Sequence, residues 1–522
     1  MSTHPPGTAR RGRDRKAEVL MPVPGRDRFG RGDAPSVAVV GGGIAGLAAA
    51  TGLAERGARV TLYEREESLG GRLAGHRTRL ADGSEATMSR GFHAFFRQYY
   101  NLRGLLRRTD PGLDRLTPLP DYPLRHSGGL TDSFARVPRT PPLSALGFVA
   151  LSPTFGWRDL TAMDARAALP LLDVRVPEVY ARFDEVGATA FLERVRFPEA
   201  AHHLAFEVFS RSFFADPREL SAAELMLMFH IYFLGSAEGL LFDVPDEPFP
   251  QALWEPLGDY LRRLGADLRT GTPVEAVEPA AGGGAEVRTG TGGDRYDAVV
   301  LALDTGGLRR VVGASPQLGT GPWRDDIAAL RTAPPFLVSR FWLDRPVRAD
   351  RPGFLGTSGY GRLDNISVLE RYEGEAARWA GKNGGSVVEL HAYAVADGAG
   401  RQRVQEELLG RLRQVYPETR LARVVDARHE WRADCPLFRV GTHRRRPTVR
   451  TPHPWLTLAG DGIRCDLPVA LMERAATTGF LAANALLAGW GVRGQVLWSV
   501  PRAGRSPVLR ALNTLAGRPA RR

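Results

Sequence analysis

Ser36-Val37-Ala38-Val39-Val40-Gly41-Gly42-Gly43-Ile44-Ala45-Gly46 runs into Leu47-Ala48-Ala49-Ala50-Thr51-Gly52-Leu53-Ala54-Glu55-Arg56 and, past Gly57, into Ala58-Arg59-Val60-Thr61-Leu62-Tyr63-Glu64. The first five residues form a short apolar, β-branched run, the composition of a strand covered on both faces. The alanine- and leucine-rich segment after the glycines is a helix former, closed by Gly57 at its C-terminal end. A second strand follows and ends in an acid. The glycines have separate tasks. Gly41 permits the tight turn, Gly43 lets backbone N–H groups approach a pyrophosphate, and Gly46 lets the helix pack close to the strand. The helix N-terminus, with Ile44 and Ala45 in its first turn, offers partial positive charge to a phosphate. Glu64, eighteen residues after Gly46, is placed to accept both ribose hydroxyls of an adenosine, where a 2′-phosphate would be repelled. A glycine turn alone is a weak signal. Flanked by strand, helix, second strand and terminal acid, it predicts a doubly wound, Rossmann-type α/β domain that binds a dinucleotide.

The rest of the chain bounds what surrounds that unit. With 522 residues, 43% hydrophobic and 25% charged, it is long enough for two or three domains around a large core. Disordered, collagen-like and disulfide-scaffold classes are excluded. Two cysteines, Cys435 and Cys465, form no CxxC pair, and no His cluster has metal spacing, so no metal is assigned and a reducing cytoplasm is expected. The net charge is +12, yet residues 1–33 hold eight basic and four acidic side chains and residues 491–522 hold seven arginines and no acid. A nearly neutral body with two cationic tails argues against nucleic acid as a partner and is compatible with an anionic membrane surface. The twin arginines Arg10-Arg11 lack a following apolar segment, and no run approaches the ~18 residues of a membrane span.

Three further stretches select the cofactor. Glu64-Arg65-Glu66-Glu67-Ser68-Leu69-Gly70-Gly71-Arg72 leads the second strand into a double-glycine arginine turn, and Trp455-Leu456-Thr457-Leu458-Ala459-Gly460-Asp461 is a strand ending in Gly-Asp. The third is Pro468-Val469-Ala470-Leu471-Met472-Glu473-Arg474, with Pro468 suited to a first helical turn. Together these resemble the FAD-dependent superfamily of amine oxidases, protoporphyrinogen oxidases and carotene desaturases. The resemblance implies that Arg65, Gly71 and Arg72 line the FAD site with the latter two at the diphosphate, that Asp461 after Gly460 reaches the ribityl chain, and that Met472 lies at the flavin pyrimidine edge. It further implies one strand over Arg269–Val277 holding adenine near Val274. Arg474 departs from the commoner Met-Glu-Gly-Ala form.

Within the superfamily, Lys16 and Lys382 are the only lysines and neither is placed to serve an amine oxidase. Arg90-Gly91-Phe92-His93-Ala94-Phe95-Phe96 is similar to a stretch of plant-type phytoene and ζ-carotene desaturases. The Ser89–Asp110 and Pro118–Arg139 regions are similar to the bacterial isorenieratene synthases, which are β-carotene desaturase/methyltransferases. That resemblance spans most of residues 34–490. It implies aromatisation of carotenoid β-rings with an intramolecular methyl shift, β-carotene as substrate, FAD as hydride acceptor, and an acceptor of unassigned identity that reoxidises it. Alternatives are desaturation of a linear carotene, or redox-neutral cyclisation or isomerisation using reduced FAD. His93 is the polar group expected to take a proton or orient the flavin. Phe206, Phe209, Phe213, Phe214, Met226, Met228, Phe229, Tyr232 and Phe233 are expected to wall a hydrocarbon channel and to favour a passing carbocation.

The expected organisation is discontinuous. A disordered basic tail covers 1–33; the FAD domain takes 34–105, 262–310 and 450–490; the substrate domain takes 106–261 and 311–449; a basic tail follows over 491–522. In that tail Val508, Leu509, Leu512, Leu515 and Ala516 share one helical face, with Asn513 on the other. Such a helix can lie in a bilayer interface, which places the protein peripherally on the inner face of the cell membrane.

Overall fold

Five parallel strands in the order Asp267–Arg269, Arg59–Tyr63, Ser36–Val40, Ala298–Leu301 and Leu456–Leu458 form the sheet that carries the glycine turn. The computed structural model describes residues 14–516 apart from 31, 156, 199–214 and 397. Val37 to Val40 and Ala298 to Leu301 are buried throughout, which explains their unbroken apolar composition. The Ile44–Ala54 helix is likewise buried on every side, because it is held between this sheet and the long Leu471–Gly489 helix. Small residues let both neighbours approach it closely. This is a doubly wound α/β sheet assembled from three separated parts of the chain.

A second, seven-stranded mixed sheet runs Val424–Arg432, Phe336–Leu343, Ser386–Ala392, Asn365–Val368, Phe354–Ser358, Leu124–His126 and Thr131–Asp132. The Arg401–Val415 helix covers one face with Leu408 and Leu412 buried. Short helices between Leu143 and Val195, with Ala222–Phe229, build a separate apolar cluster beside this sheet. Among the described residues no helix is long and apolar enough to cross a membrane.

Three expectations need correction. Part of the segment read as a disordered tail is ordered: Glu18–Leu20 pairs antiparallel with Leu497–Ser499, and buried Asp14 accepts from Ala237 N and Arg505 Nη1. The Arg269–Val277 stretch is two strands, not one. The first ends at Arg269 in the parallel sheet, the chain turns through Gly271 at φ +63°, and Val274 opens an antiparallel sheet with residues 285–289. The helix expected from Pro468 starts at Leu471, after an extended Ala470. The C-terminal Pro507–Ala516 helix keeps the expected division of faces: Asn513 bonds Asp173 on the body side, while Val508 and Leu512 are exposed.

Candidate active site

The glycine turn works through its backbone. Gly41, at φ +110°, donates its N–H to Tyr63 O over 2.7 Å, and a side chain there would strike the Ala302 carbonyl. Gly42 N donates to Glu64 Oε2 at 2.7 Å, and Glu66 N donates to Oε1 at 2.9 Å. The carboxylate is therefore aimed by two amides rather than by a partner cation. Gly43 caps the Ile44–Ala54 helix without a side-chain bond, leaving the first-turn N–H groups to the cavity that Gly43, Ile44 and Ala45 line. A Cβ on Gly43 would stand 3.7 Å from the Gly71 Cα, so two bare backbones face each other across the entrance. Gly46 lies behind, packed on the Gly41 carbonyl.

These residues open one cavity of about 590 Å³ that extends between the two large sheets. Glu64, Arg65, Gly71, Arg72, Val274, Gly460, Asp461, Met472 and His93 all line it. Arg72 Nη2 and Asp461 Oδ1 meet at 2.5 Å, so the two groups expected to reach different parts of a cofactor also bind each other. Gly460, at φ +145°, is tied by its N–H to Thr478 Oγ1 of the Leu471–Gly489 helix. Arg65 is half-exposed beside Glu66 and Asp304.

Away from the glycine turn the lining becomes aromatic. Phe92 lies 4.1 Å from Phe354 and 6.1 Å from Phe242, Tyr122 lies 4.5 Å from Phe354, and Phe96 lies 4.6 Å from Tyr232, as ring centroids. All of these rings line the cavity. The expected channel wall is corrected accordingly. Tyr232 lines the chamber, but Met226, Met228, Phe229 and Phe233 pack in the neighbouring apolar cluster. Phe206, Phe209, Phe213 and Phe214 lie outside the described residues. Helical spacing could not separate wall from core, because both are apolar; Phe92, Tyr122, Phe242 and Phe354 come from strands and loops far apart in sequence.

The model of the family described as flavin-containing amine oxidoreductase matches residues 44–487. The chain belongs to this family. Its cofactor is FAD. The chain is 72% identical to the carotenoid phi-ring synthase of Streptomyces griseus over 507 residues, covering 97% of this chain and 98% of that protein. It is 28% identical to the carotenoid phi-ring synthase of Chlorobaculum tepidum, over 89% of this chain and 90% of the other. Among solved structures, cyclohexylamine oxidase from Brevibacterium oxydans superposes with TM-score 0.63 at 15% identity, covering 88% and 99% of the two chains.

The cleft of this family member fits FAD on geometry alone. Uncapped helix amides, facing glycines and an amide-aimed carboxylate follow one another along one wall, as a dinucleotide requires. Its Arg474 also has a function in the fold. The buried guanidinium donates to Val469 O at 3.0 Å and to Asp461 O at 3.4 Å, and pairs with Glu224 Oε2 at 3.0 Å. Glu224 Oε1 takes Arg446 at 2.7 Å and the Tyr180 hydroxyl at 3.1 Å. Burial raises the Glu224 pKa, but the two guanidiniums outweigh it and hold it at about 2. Sequence offered no pairing for Arg474, since its partner is 250 residues away. Glu473 beside it accepts Asn101 N and Leu102 N, both at 2.9 Å, fastening the helix to the start of Tyr100–Leu106.

His93 donates Nδ1–H to Gly91 O at 2.9 Å, because a carbonyl can only accept. That fixes the tautomer and leaves Nε2 as an acceptor. Burial, with further lowering from His391 and Arg72, puts its pKa at about 4. His93 is thus a neutral base at physiological pH. His230, just after the Ala222–Phe229 helix, is structural: its Nε2 bonds Pro501 O at 2.7 Å. Cys435, not Cys465, lines the cavity.

Proposed function

We propose that this enzyme aromatises the β-ionone rings of β-carotene, moving one methyl group within each ring, to give isorenieratene. The observation that carries the reading is the 72% identity to a carotenoid phi-ring synthase along almost the whole of both chains. The geometry supports it: a dinucleotide cleft is continuous with an aromatic chamber of a kind that holds a hydrocarbon by shape. FAD, when bound, supplies the two-electron acceptor that each dehydrogenation needs.

In this reading Gly41, Gly43, Ile44, Ala45, Gly46, Gly71 and Arg72 hold the diphosphate, Arg65 flanks it, Glu64 holds the adenosine ribose and Val274 the adenine. Gly460 and Asp461 hold the ribityl chain and Met472 meets the flavin edge. Each ring loses two hydrides and two protons while a methyl moves to the neighbouring carbon. Phe92, Tyr122, Phe242 and Phe354 face the cation that this sequence passes through. His93 Nε2 accepts a ring proton. The exposed Val508 and Leu512 of the Pro507–Ala516 helix support docking on the inner membrane surface from which a carotene is drawn.

Expression in cells that accumulate β-carotene, with the product mass measured, tests the reaction. A product four hydrogens lighter per converted ring, with aromatic absorption, is expected. An isomer of unchanged mass, or conversion of linear carotenes only, would overturn the assignment.

A further inference from the structure

Glu389-Leu390-His391-Ala392 ends the Ser386–Ala392 strand, third in the seven-stranded sheet, and Tyr393 follows it. Alternation sends Leu390 and Ala392 into the apolar core on one side. It sends Glu389, His391 and Tyr393 to the other, where His391 and Tyr393 line the cavity. The three are bonded in series. The Glu389 carboxylate accepts from His391 Nε2 at 2.9 Å, and His391 Nδ1 meets the Tyr393 hydroxyl at 2.5 Å. Asn365 Nδ2 donates to that hydroxyl at 3.0 Å.

The far end is anchored. Glu389 Oε2 takes Arg340 Nε at 3.0 Å and Nη2 at 2.8 Å, and Oε1 also takes Phe92 N at 2.9 Å. Burial raises the Glu389 pKa, but Arg340 and the hydrogen bond from His391 outweigh it and hold it at about 2. The carboxylate is acceptor-only, so His391 Nε2 carries a proton; in the neutral imidazole Nδ1 is then the acceptor for Tyr393 O–H. Gly91, at φ +85°, leaves room for this pair: a side chain there would press on His391 Nε2 and Glu389 Oε1. The same glycine's carbonyl orients His93. An order of carboxylate, imidazole and hydroxyl is the arrangement in which a hydroxyl takes up a proton while passing on its own.

We propose that Tyr393, His391 and Glu389 form a proton relay from the chamber and serve as a second proton acceptor beside His93. This rests on the ring-aromatisation reading, in which each ring must shed two protons. In the step, a C–H bond of the cationic ring breaks and its electron pair becomes the new ring double bond. The proton goes to Tyr393 Oη as the Tyr393 hydroxyl proton moves to His391 Nδ1. The imidazolium so formed stays paired with Glu389. Tyr393 is the catalytic residue; His391 and Glu389 are positioning residues acting through it.

The test uses the FAD-loaded protein and β-carotene, following flavin bleaching without any other acceptor and aromatic product under turnover with an added two-electron acceptor, because each ring gives up two hydrides and one flavin takes one. Tyr393→Phe removes the proton carrier. His391→Gln keeps a donor to Glu389 and an acceptor for Tyr393 but cannot take a proton. Both variants should retain flavin and bleach within about twofold of wild type, while product formation slows about 100-fold at unchanged KM. A solvent deuterium effect on product formation in the wild type should be altered in both. Product formation at the wild-type rate in either variant overturns the relay. So does loss of flavin or of the folded state in both, which would mark a structural role. No conversion by the wild type removes the aromatisation reading itself, and the relay with it.

Discussion

Replacing Glu224 by glutamine conserves volume and removes the one negative charge between two buried guanidiniums. Arg446 and Arg474 are 6% and 3% exposed, and Glu224 is fully buried. A carboxyl held at about 2 instead of its ordinary 4.5 corresponds to about 3 kcal/mol of folding free energy at neutral pH. Breaking a buried pair by removing one partner costs about 3–5 kcal/mol in general, so the two routes agree. Because the folded-state pKa is depressed, this contribution is present above pH 4.5 and is lost as pH falls towards 2. Thermal melts of the FAD-loaded protein at pH 7 should drop by about 3 °C if the chain unfolds as one unit, and about 10 °C if a smaller domain melts alone. The gap between wild type and variant should stay constant down to about pH 5 and narrow below it. Flavin release should follow the melt, since Arg474 also holds the Asp461 and Val469 carbonyls. A melting temperature within 1 °C of wild type would refute the argument that this charge is needed.

Three other outcomes are expected. Gly43→Val should leave the fold intact, because Gly43 has an ordinary φ of −78°. It should weaken FAD binding at least tenfold, about 1.4 kcal/mol, as read by flavin fluorescence titration; full affinity in the variant would move the diphosphate elsewhere. The pH–rate profile should show no His93 break near 6.5 and should fall only as pH approaches about 4, since burial holds the imidazole in its neutral, proton-accepting form above that value. A break near 6.5 that vanishes in His93→Gln would contradict this. Val508→Glu with Leu512→Glu, both at exposed positions, should leave flavin content unchanged and abolish co-sedimentation with anionic vesicles; undiminished binding would assign the membrane contact to another surface.

Local rules made the dinucleotide unit legible. A strand, a glycine turn, a helix and an acid lie within about thirty residues, and each contact among them spans a short separation. Tyr63 O, Glu64 and the helix amides meet in the structure because chain geometry leaves them little choice. Arg474 and the aromatic chamber were not legible in this way. The Arg474–Glu224 pair spans 250 residues, and no pattern in a single sequence marks two such positions as partners. The relay had one visible trace, the polar alternation of Glu389, His391 and Tyr393, which shows a polar inner face but not what it faces.

What the chain dictates unaided is therefore its short-range chemistry: the parallel sheet, its glycine turn, and the residue types able to bind a diphosphate. Only the folded molecule decides which aromatic rings form a chamber and which are packing, because the hydrophobic effect buries both alike. Position relative to the cavity, set by the docking of the two sheets, makes Phe92 a wall and leaves Phe233 in the core. The same long-range packing makes His93 a weak, neutral base and aims Tyr393 and His391 at that space, because burial and neighbouring charge set a proton's location and both are tertiary properties.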